Sequence, residues 1–224
     1  MAQVQVKDVL TSELLLICRD CPMQVLVQAY VRAARQLCNK SHWLLASVAG
    51  SATVASPLYT FGTDAFTEAI GVKAVAVDED MLGLDFEALT ESASGSWDTS
   101  RADGVPEFYS YVPEGMIMLY PTPDLAYGLR TIIEVQPKRD SVSIDETLVV
   151  SWDYALQAGA LAWLLGMPRT PWMDKVEARA QELVFKGLVN QATSSAQRGY
   201  NAGASATSAS GRATGAVRTS ILPI

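Results

Sequence analysis

The run from Tyr154 to Leu165, YALQAGALAWLL, is apolar around almost its whole circumference, and it constrains the fold of this chain more than any other stretch. At helical spacing Ala155, Ala158, Gly159 and Ala162 make a stripe of small side chains on which another backbone can approach closely. Tyr154, Leu156, Leu161, Trp163, Leu164 and Leu165 cover most of the remaining surface. A helix that is apolar on every side must be buried on every side. Two arrangements satisfy that demand: the centre of the chain's own core, or a helix with its own core on one side and a neighbouring subunit on the other. A membrane span is not expected, because the uncharged run from Tyr154 to Pro168 falls short of the roughly 18 to 20 residues a bilayer needs.

Gly166 and Pro168 stop this helix, and Thr170 as cap with Pro171 at the first position predicts the start of another. In that second helix Val176, Ala180, Leu183, Val184 and Leu188 form the apolar stripe, with Lys175, Glu177, Arg179, Glu182 and Lys186 largely off it. The pattern predicts a surface helix laid on the core by that stripe. Upstream, Ser143 to Glu146 fits the S-x-x-E capping box and places the start of the apolar helix near Ile144.

The first part of the chain is also helical in pattern. A short helix is predicted from Val9 to Cys18, capped by Asp8. A longer one runs from Pro22 to Asn39, with Val25, Leu26, Ala29, Tyr30, Ala33 and Leu37 on its apolar face. From Trp43 to Gln136 the helical period is lost and short strand-like runs alternate with turn residues. Val72 to Val77 is one such run. Met116 to Tyr120 and Gly128 to Gln136 read as the two arms of a hairpin joined by PTPDLAY. In the second arm Leu129, Thr131, Ile133 and Val135 make the buried face. The polar stretch Thr90 to Gly104 is predicted to be a loop, with Trp97 either tucked back onto the sheet, the favoured reading, or in contact with a partner. Asp78, Glu79 and Asp80 lack the spaced oxygen ligands of a calcium loop and read as a solvated turn.

The predicted architecture is therefore α+β: a helical bundle body with an inserted antiparallel β-rich lobe and an extended C-terminal arm. Residues 1–42 supply the N-terminal helices of the body, 43–140 the β-rich insertion, 141–192 the helix pair, and 193–224 the arm. With 224 residues and 49% hydrophobic content, one core of ample size is expected. The arm is rich in Ala, Ser, Thr and Gly and cannot bury enough apolar surface to order itself. It carries Arg198, Tyr200, Arg212 and Arg218 and ends on Ile221, Leu222, Pro223 and Ile224, an apolar anchor on a basic segment, as in chains that fold upon binding a partner.

Charge is distributed unevenly. Residues 60 to 130 hold 13 acidic residues against Lys73, Arg101 and Arg130, while no acidic residue follows Glu182. An acidic middle and a basic end suit electrostatic docking between unlike faces. The net charge of −7 argues against nucleic acid as a tightly held ligand. The run LLLI at 14–17 is too short for the apolar region of a signal peptide and follows Asp8 and Glu13, so Sec export is not expected.

Cys18, Cys21, Cys38 and His42 have a zinc-like spacing. A single helix between Cys21 and Cys38 would hold them roughly 25 Å apart, beyond the reach of one metal. No metal or cofactor is expected, and the cysteines read as reduced, mostly buried thiols. The chain has neither a G-x-x-x-x-G-K-[ST] loop nor a G-x-S-x-G elbow and holds a single histidine, so no catalytic residue is assigned. A small soluble enzyme is the least favoured reading.

Three segments resemble, in order, a family of tailed-bacteriophage structural proteins, the head-to-tail adaptor or connector proteins that sit beneath the portal. They are DCPMQVLVQAYVRAARQLC at 20–38, GVPEFYSYVPEGMIMLYPTPD at 104–124 and GALAWLLGMPRTPWMDKVEARAQELVFKGLVNQA at 159–192. The similar features are a Cys-Pro helix start with a Cys near its end, a Gly-x-Pro before an aromatic strand, a Tyr-Pro-x-Pro turn, and a Gly-Ala-Leu helix followed by Pro and Trp. The resemblance implies a non-enzymatic virion protein at the head-to-tail junction, assembled in the host cytoplasm as a ring, usually of twelve copies. Its helical bodies would stand side by side, its C-terminal arm would reach the portal, tail or nozzle proteins would contact the opposite side, and DNA would pass through the channel. A tail-completion or tail-tube ring of the same virion is the alternative. With this resemblance the balance moves toward a helix shared between neighbours, with Ala155, Ala158, Gly159 and Ala162 at the subunit interface and the residues of the arm at the portal.

Overall fold

The computed structural model describes residues 2–10, 12–78, 80, 81, 83, 84, 103–112 and 115–212. Trp97, Glu79, Arg218, Ile221, Leu222 and Ile224, and most of the predicted loop from Thr90 to Gly104, lie outside them. The fold is α+β, with helices toward both ends of the chain and, between them, strands paired antiparallel except for one short parallel pair, Gly83–Leu84 with Phe108–Tyr109.

The chain opens with strand β1 (Gln3–Gln5) and two short helices, α1 (Val6–Val9) and α2 (Ser12–Ile17). The sequence predicted one helix from Val9 to Cys18; the helix is broken at Leu10, whose backbone is extended at φ −64°, ψ 115°. Helix α3 (Met23–Ser41) follows Pro22, whose φ of −58° already suits a helix entry. Leu26, Ala29, Tyr30, Ala33, Ala34, Leu37 and Cys38 recur at three- and four-residue spacing and are all buried. His42 ends the helix in the left-handed region, φ 53°, and its N–H donates to the Cys38 carbonyl at 2.8 Å.

Among the described residues nine strands follow: β2 (Leu45–Ser51), β3 (Leu58–Thr60), β4 (Thr67–Val77), β5 (Asp80–Met81), β6 (Gly83–Leu84), β7 (Phe108–Val112), β8 (Met116–Tyr120), β9 (Gly128–Pro137) and β10 (Ser143–Asp145). They form a four-stranded sheet of order β2-β9-β4-β5, a second of order β3-β8-β7-β6, and a small pairing of β1 with β10. The predicted hairpin between Met116–Tyr120 and Gly128–Gln136 does not exist. Those strands are β8 and β9, and they belong to different sheets. PTPDLAY is too long and too rich in proline to close a two-residue turn. It carries the chain from one sheet to the other, while β8 pairs with the aromatic strand β7 across Gly115, which takes φ 77°. The alternation read in β9 holds, with Leu129, Thr131, Ile133 and Val135 buried, but Gln136 is buried as well. Asp78 is not simply solvated: its Oδ1 accepts the Gly128 N–H at 2.7 Å.

Helix α4 (Glu146–Leu165) starts later than the capping box predicted. Ser143 belongs to β10, and its hydroxyl accepts from Gln5 Nε2 at 2.9 Å. The cap is Asp145, whose Oδ1 accepts the Thr147 N–H at 2.9 Å. By length and composition α4 could cross a membrane, but half of its most apolar window is buried inside this protein. Helix α5 (Lys175–Arg212) also starts later than predicted: Thr170 donates to the Met167 carbonyl instead of capping, and Asp174 is the cap. It does not end at Ala192. The sequence placed an extended arm from residue 193, but residues 193–212 continue the helix, with Thr193 and Ser194 hydroxyls donating to the Val189 and Asn190 carbonyls. Ala, Ser, Gln and Arg tolerate a helix that is already nucleated, and no proline interrupts the segment.

Helices α3, α4 and α5 pack on one another, and β9 joins them to the lobe. Along this seam Arg35 Nη1 donates to the Pro137 carbonyl at 2.7 Å and pairs with Glu68 at 2.8 Å, and Gln136 Nε2 donates to Glu68 at 2.7 Å.

Candidate assembly surface

The outer face of α5 is set by its inner one. Asp174 Oδ1 accepts the N–H groups of Val176 and Glu177 at 3.0 Å each, which fixes the first turn. The face turned to the core is Ala178, Phe185, Val189 and Ala192, all buried, with Leu188 half-buried. The predicted stripe of Val176, Ala180, Leu183 and Val184 faces outward instead. The reason lies on α4. A Cβ on Gly159 would stand 3.0 Å from two carbons of the Phe185 ring and 2.8 Å from the Ala33 Cβ, so the missing side chain is the space into which Phe185 and α3 fit. Seating Phe185 there turns the stripe Val176, Ala180, Leu183 and Gly187 away from the core.

Val176 is 83% exposed and Leu183 58%. No charged side chain lies within the stripe. Beside it Glu182 accepts from Arg179 at 2.7 Å and from Lys186 at 2.6 Å, so these charges are tied to one another along the helix. The hydrogen bond from Lys186, and then that from Arg179, holds the Glu182 carboxyl below the usual range. Helix α4 adds two exposed side chains, Val150, 79% exposed, and Tyr154, 65% exposed, on either side of Trp152, where the helix is kinked. Contiguous exposed apolar surface on helices is the ordinary mark of a protein-contact site. Covering one such Val or Leu side chain contributes about 1.5–3 kcal/mol.

The residues predicted for the subunit interface are placed differently. Ala155, Ala158 and Gly159 are buried in the chain's own core, and Ala162 is half-buried. Gly159 makes its close helix contact with Ala33 and Phe185 of the same chain. Of the predicted portal-binding residues, Arg198 is the last whose side chain is described, its Nε donating to the Ser194 carbonyl at 3.3 Å. Tyr200 and Arg212 lie within α5, and their side chains are outside the described residues.

The lone histidine lies in a cleft of about 360 Å³ lined by Ser41, Lys73, Glu134, Thr193 and Gln197. His42 Nδ1 is 2.7 Å from Glu134 Oε2. Ser41 donates its hydroxyl to the Leu37 carbonyl at 2.7 Å, so it is turned away from the histidine. The cleft joins α3 and α5 to the sheet, and the Thr193 hydroxyl in its lining donates to the Val189 carbonyl at 2.9 Å. Among the described residues no group of His, Cys, Asp and Glu is arranged to hold a metal.

Val176 and Leu183 on α5 and Val150 and Tyr154 on α4 thus leave apolar side chains on the outside of two helices. The chain matches the SU10 adaptor protein family over residues 5–218 and belongs to it, a family of phage head-to-tail adaptors. No curated protein matches the chain. The sequence signal that would have located the outward stripe is Phe185, the one aromatic residue between Lys175 and Arg198. It needs a partner helix with a gap, and Gly159 supplies it.

Proposed function

We propose that this protein forms a ring at the virion neck, beneath the portal, joining it to the tail and leaving a central passage for DNA. Membership of the adaptor family supports the position, and the outward stripe of α5 is the observation that carries the ring. A ring needs two different faces on each subunit. The stripe of Val176, Ala180, Leu183 and Gly187 is one, and Val150 with Tyr154 on α4 is a candidate for the other. The acidic residues between 60 and 130 suit a channel along which DNA slides without adhering, because like charges repel. The segment from Arg198 to Ile224 is the portal-binding arm: its arginines follow the last acidic residue of the chain, and Ile221, Leu222 and Ile224 give it an apolar end. Such a protein turns over no substrate.

The test is assembly. Full-length protein mixed with its portal should form a large homo-oligomer by light scattering, and Leu183→Lys should lower the oligomer fraction. Removal of residues 213–224 should leave a folded ring that no longer docks on the portal. A wild-type protein that remains monomeric with portal present would sink the ring, and normal docking without the end of the arm would sink its role. If the ring binds tail components but not portal, the tail-completion position replaces the adaptor position.

A further inference from the structure

The turn between α2 and α3 brings two of the three cysteines together. Cys18 closes α2, its N–H donating to the Leu14 carbonyl at 3.1 Å, and is packed into the core with 2% exposure. Asp20 then takes a left-handed conformation, φ 64°, and the Cys21 N–H returns to the Cys18 carbonyl at 3.2 Å. A four-residue turn closed in this way keeps its end Cα atoms within about 7 Å. A disulfide requires about 4.4 to 6.8 Å. Cys21 is half-buried, and its Sγ lies 3.8 Å from the Pro22 carbonyl oxygen. Cys38 is buried near the far end of α3, about 25 Å along the helix from Cys21, and cannot compete for either thiol.

We infer that Cys18 and Cys21 form a thiol–disulfide exchange site, open as a dithiol in reducing surroundings and closed by low-molecular-weight disulfides such as oxidised glutathione. Exposure dictates the order of events. The Cys21 thiolate attacks one sulfur of oxidised glutathione, breaking its S–S bond and releasing one glutathione thiolate. The Cys18 thiolate then attacks Cys21 Sγ, breaking the mixed disulfide and releasing the second glutathione. The two protons lost by the cysteines end on the two glutathiones, and two electrons pass from the protein to the reagent. Burial pushes both thiols above their ordinary range, Cys18 to about 11 with Cys21's charge adding to the effect, so the exchange accelerates as pH rises. The closed bridge fastens the end of α2 to the entry of α3. This inference stands apart from the assembly reading, since it needs no second copy.

The test uses the full chain, folded, in glutathione buffers stepped from reduced to oxidised, then acid-quenched and digested with trypsin without reduction. Trypsin cuts after Arg19, between the two cysteines. A closed bridge therefore links two peptides that are otherwise separate. The expected result is that linked pair, with free thiols in the denatured protein falling from three to one. Cys38→Ser should leave the linked pair intact. Cys18→Ser, if it folds, should stop at a glutathione adduct on Cys21; wild type decides the matter if it does not fold. Three free thiols persisting in fully oxidised buffer, or a Cys21 adduct accumulating in wild type without the link, would overturn the site.

Discussion

Substituting Gly159 with valine tests whether the small-residue stripe serves the chain's own core. An added Cβ at this position lies 2.8 Å from the Ala33 Cβ and 3.0 Å from two Phe185 ring carbons. Carbon atoms settle at about 3.5–4.0 Å, so the overlap is at least about half an ångström against two helices at once. Overpacking of this kind costs about 1–3 kcal/mol, and the γ-methyls of valine place the variant at the upper end. Replacing a helical glycine returns less than about 1 kcal/mol. The net loss is about 2 kcal/mol, which for a chain of this size lowers Tm by roughly 4–8 °C. Calorimetry on dilute, monomeric protein is the assay, because the clash lies within one chain and its cost should not depend on concentration. Gly159→Ala should show a smaller drop, and adding Ala33→Gly should recover part of it, a coupling of about 0.5–3 kcal/mol. A valine variant as stable as wild type, or one whose defect appears only when subunits assemble, would refute the reasoning and return the stripe to the subunit interface.

Other expectations follow from the same structure. Leu183→Lys and Val176→Lys should change monomer Tm by no more than about 0.5 kcal/mol equivalent, since both side chains are exposed, yet weaken assembly about tenfold or more each by sedimentation. Asp145→Ala removes the cap of α4 and should cost about 0.5–2 kcal/mol in thermal unfolding, while Asp145→Asn, which keeps an acceptor for the Thr147 N–H, should cost less. Stability should fall at alkaline pH. Burial holds Cys18 up to about 11, burial and then the charge of Asp145 hold Cys38 up to about 12, and burial followed by the 2.6 Å hydrogen bond to Asp153 raises Tyr30. The unfolded chain releases these protons from about pH 9 upward and the folded chain does not. Their contribution is therefore complete below pH 9 and is lost as pH rises through 11 and 12. A Tm that is flat from pH 8 to 11 in reducing buffer would contradict this.

Much of the helical part was legible. Pro22 marked the entry of α3, its apolar face followed from spacing, and Gly159 marked a close helix contact. What spacing could not decide was which face of α5 is inner, because the helix is apolar on two sides and periodicity registers both. The side is settled by shape, through the fit of Phe185 beside Gly159 and Ala33, and shape is a property of pairs of segments. Strand pairing failed for a related reason. The runs that became β8 and β9 were found, but β9 pairs with β2 and β4, both distant in sequence, while β8 pairs with β7 across the short turn at Gly115 and with the distant β3. The two helix starts were misplaced because Ser143 and Thr170 match capping patterns while Asp145 and Asp174 hold the backbone N–H groups.

The seam between lobe and helices has a mechanical consequence. Arg35 grips Glu68 and the end of β9, and His42 grips Glu134 farther along the same strand, so the lobe is bolted to both the middle and the end of α3. Helix α3 also presents Ala33 to Gly159, which stands beside Phe185 of α5, so one helix contacts the lobe on one side and the other two long helices on the other.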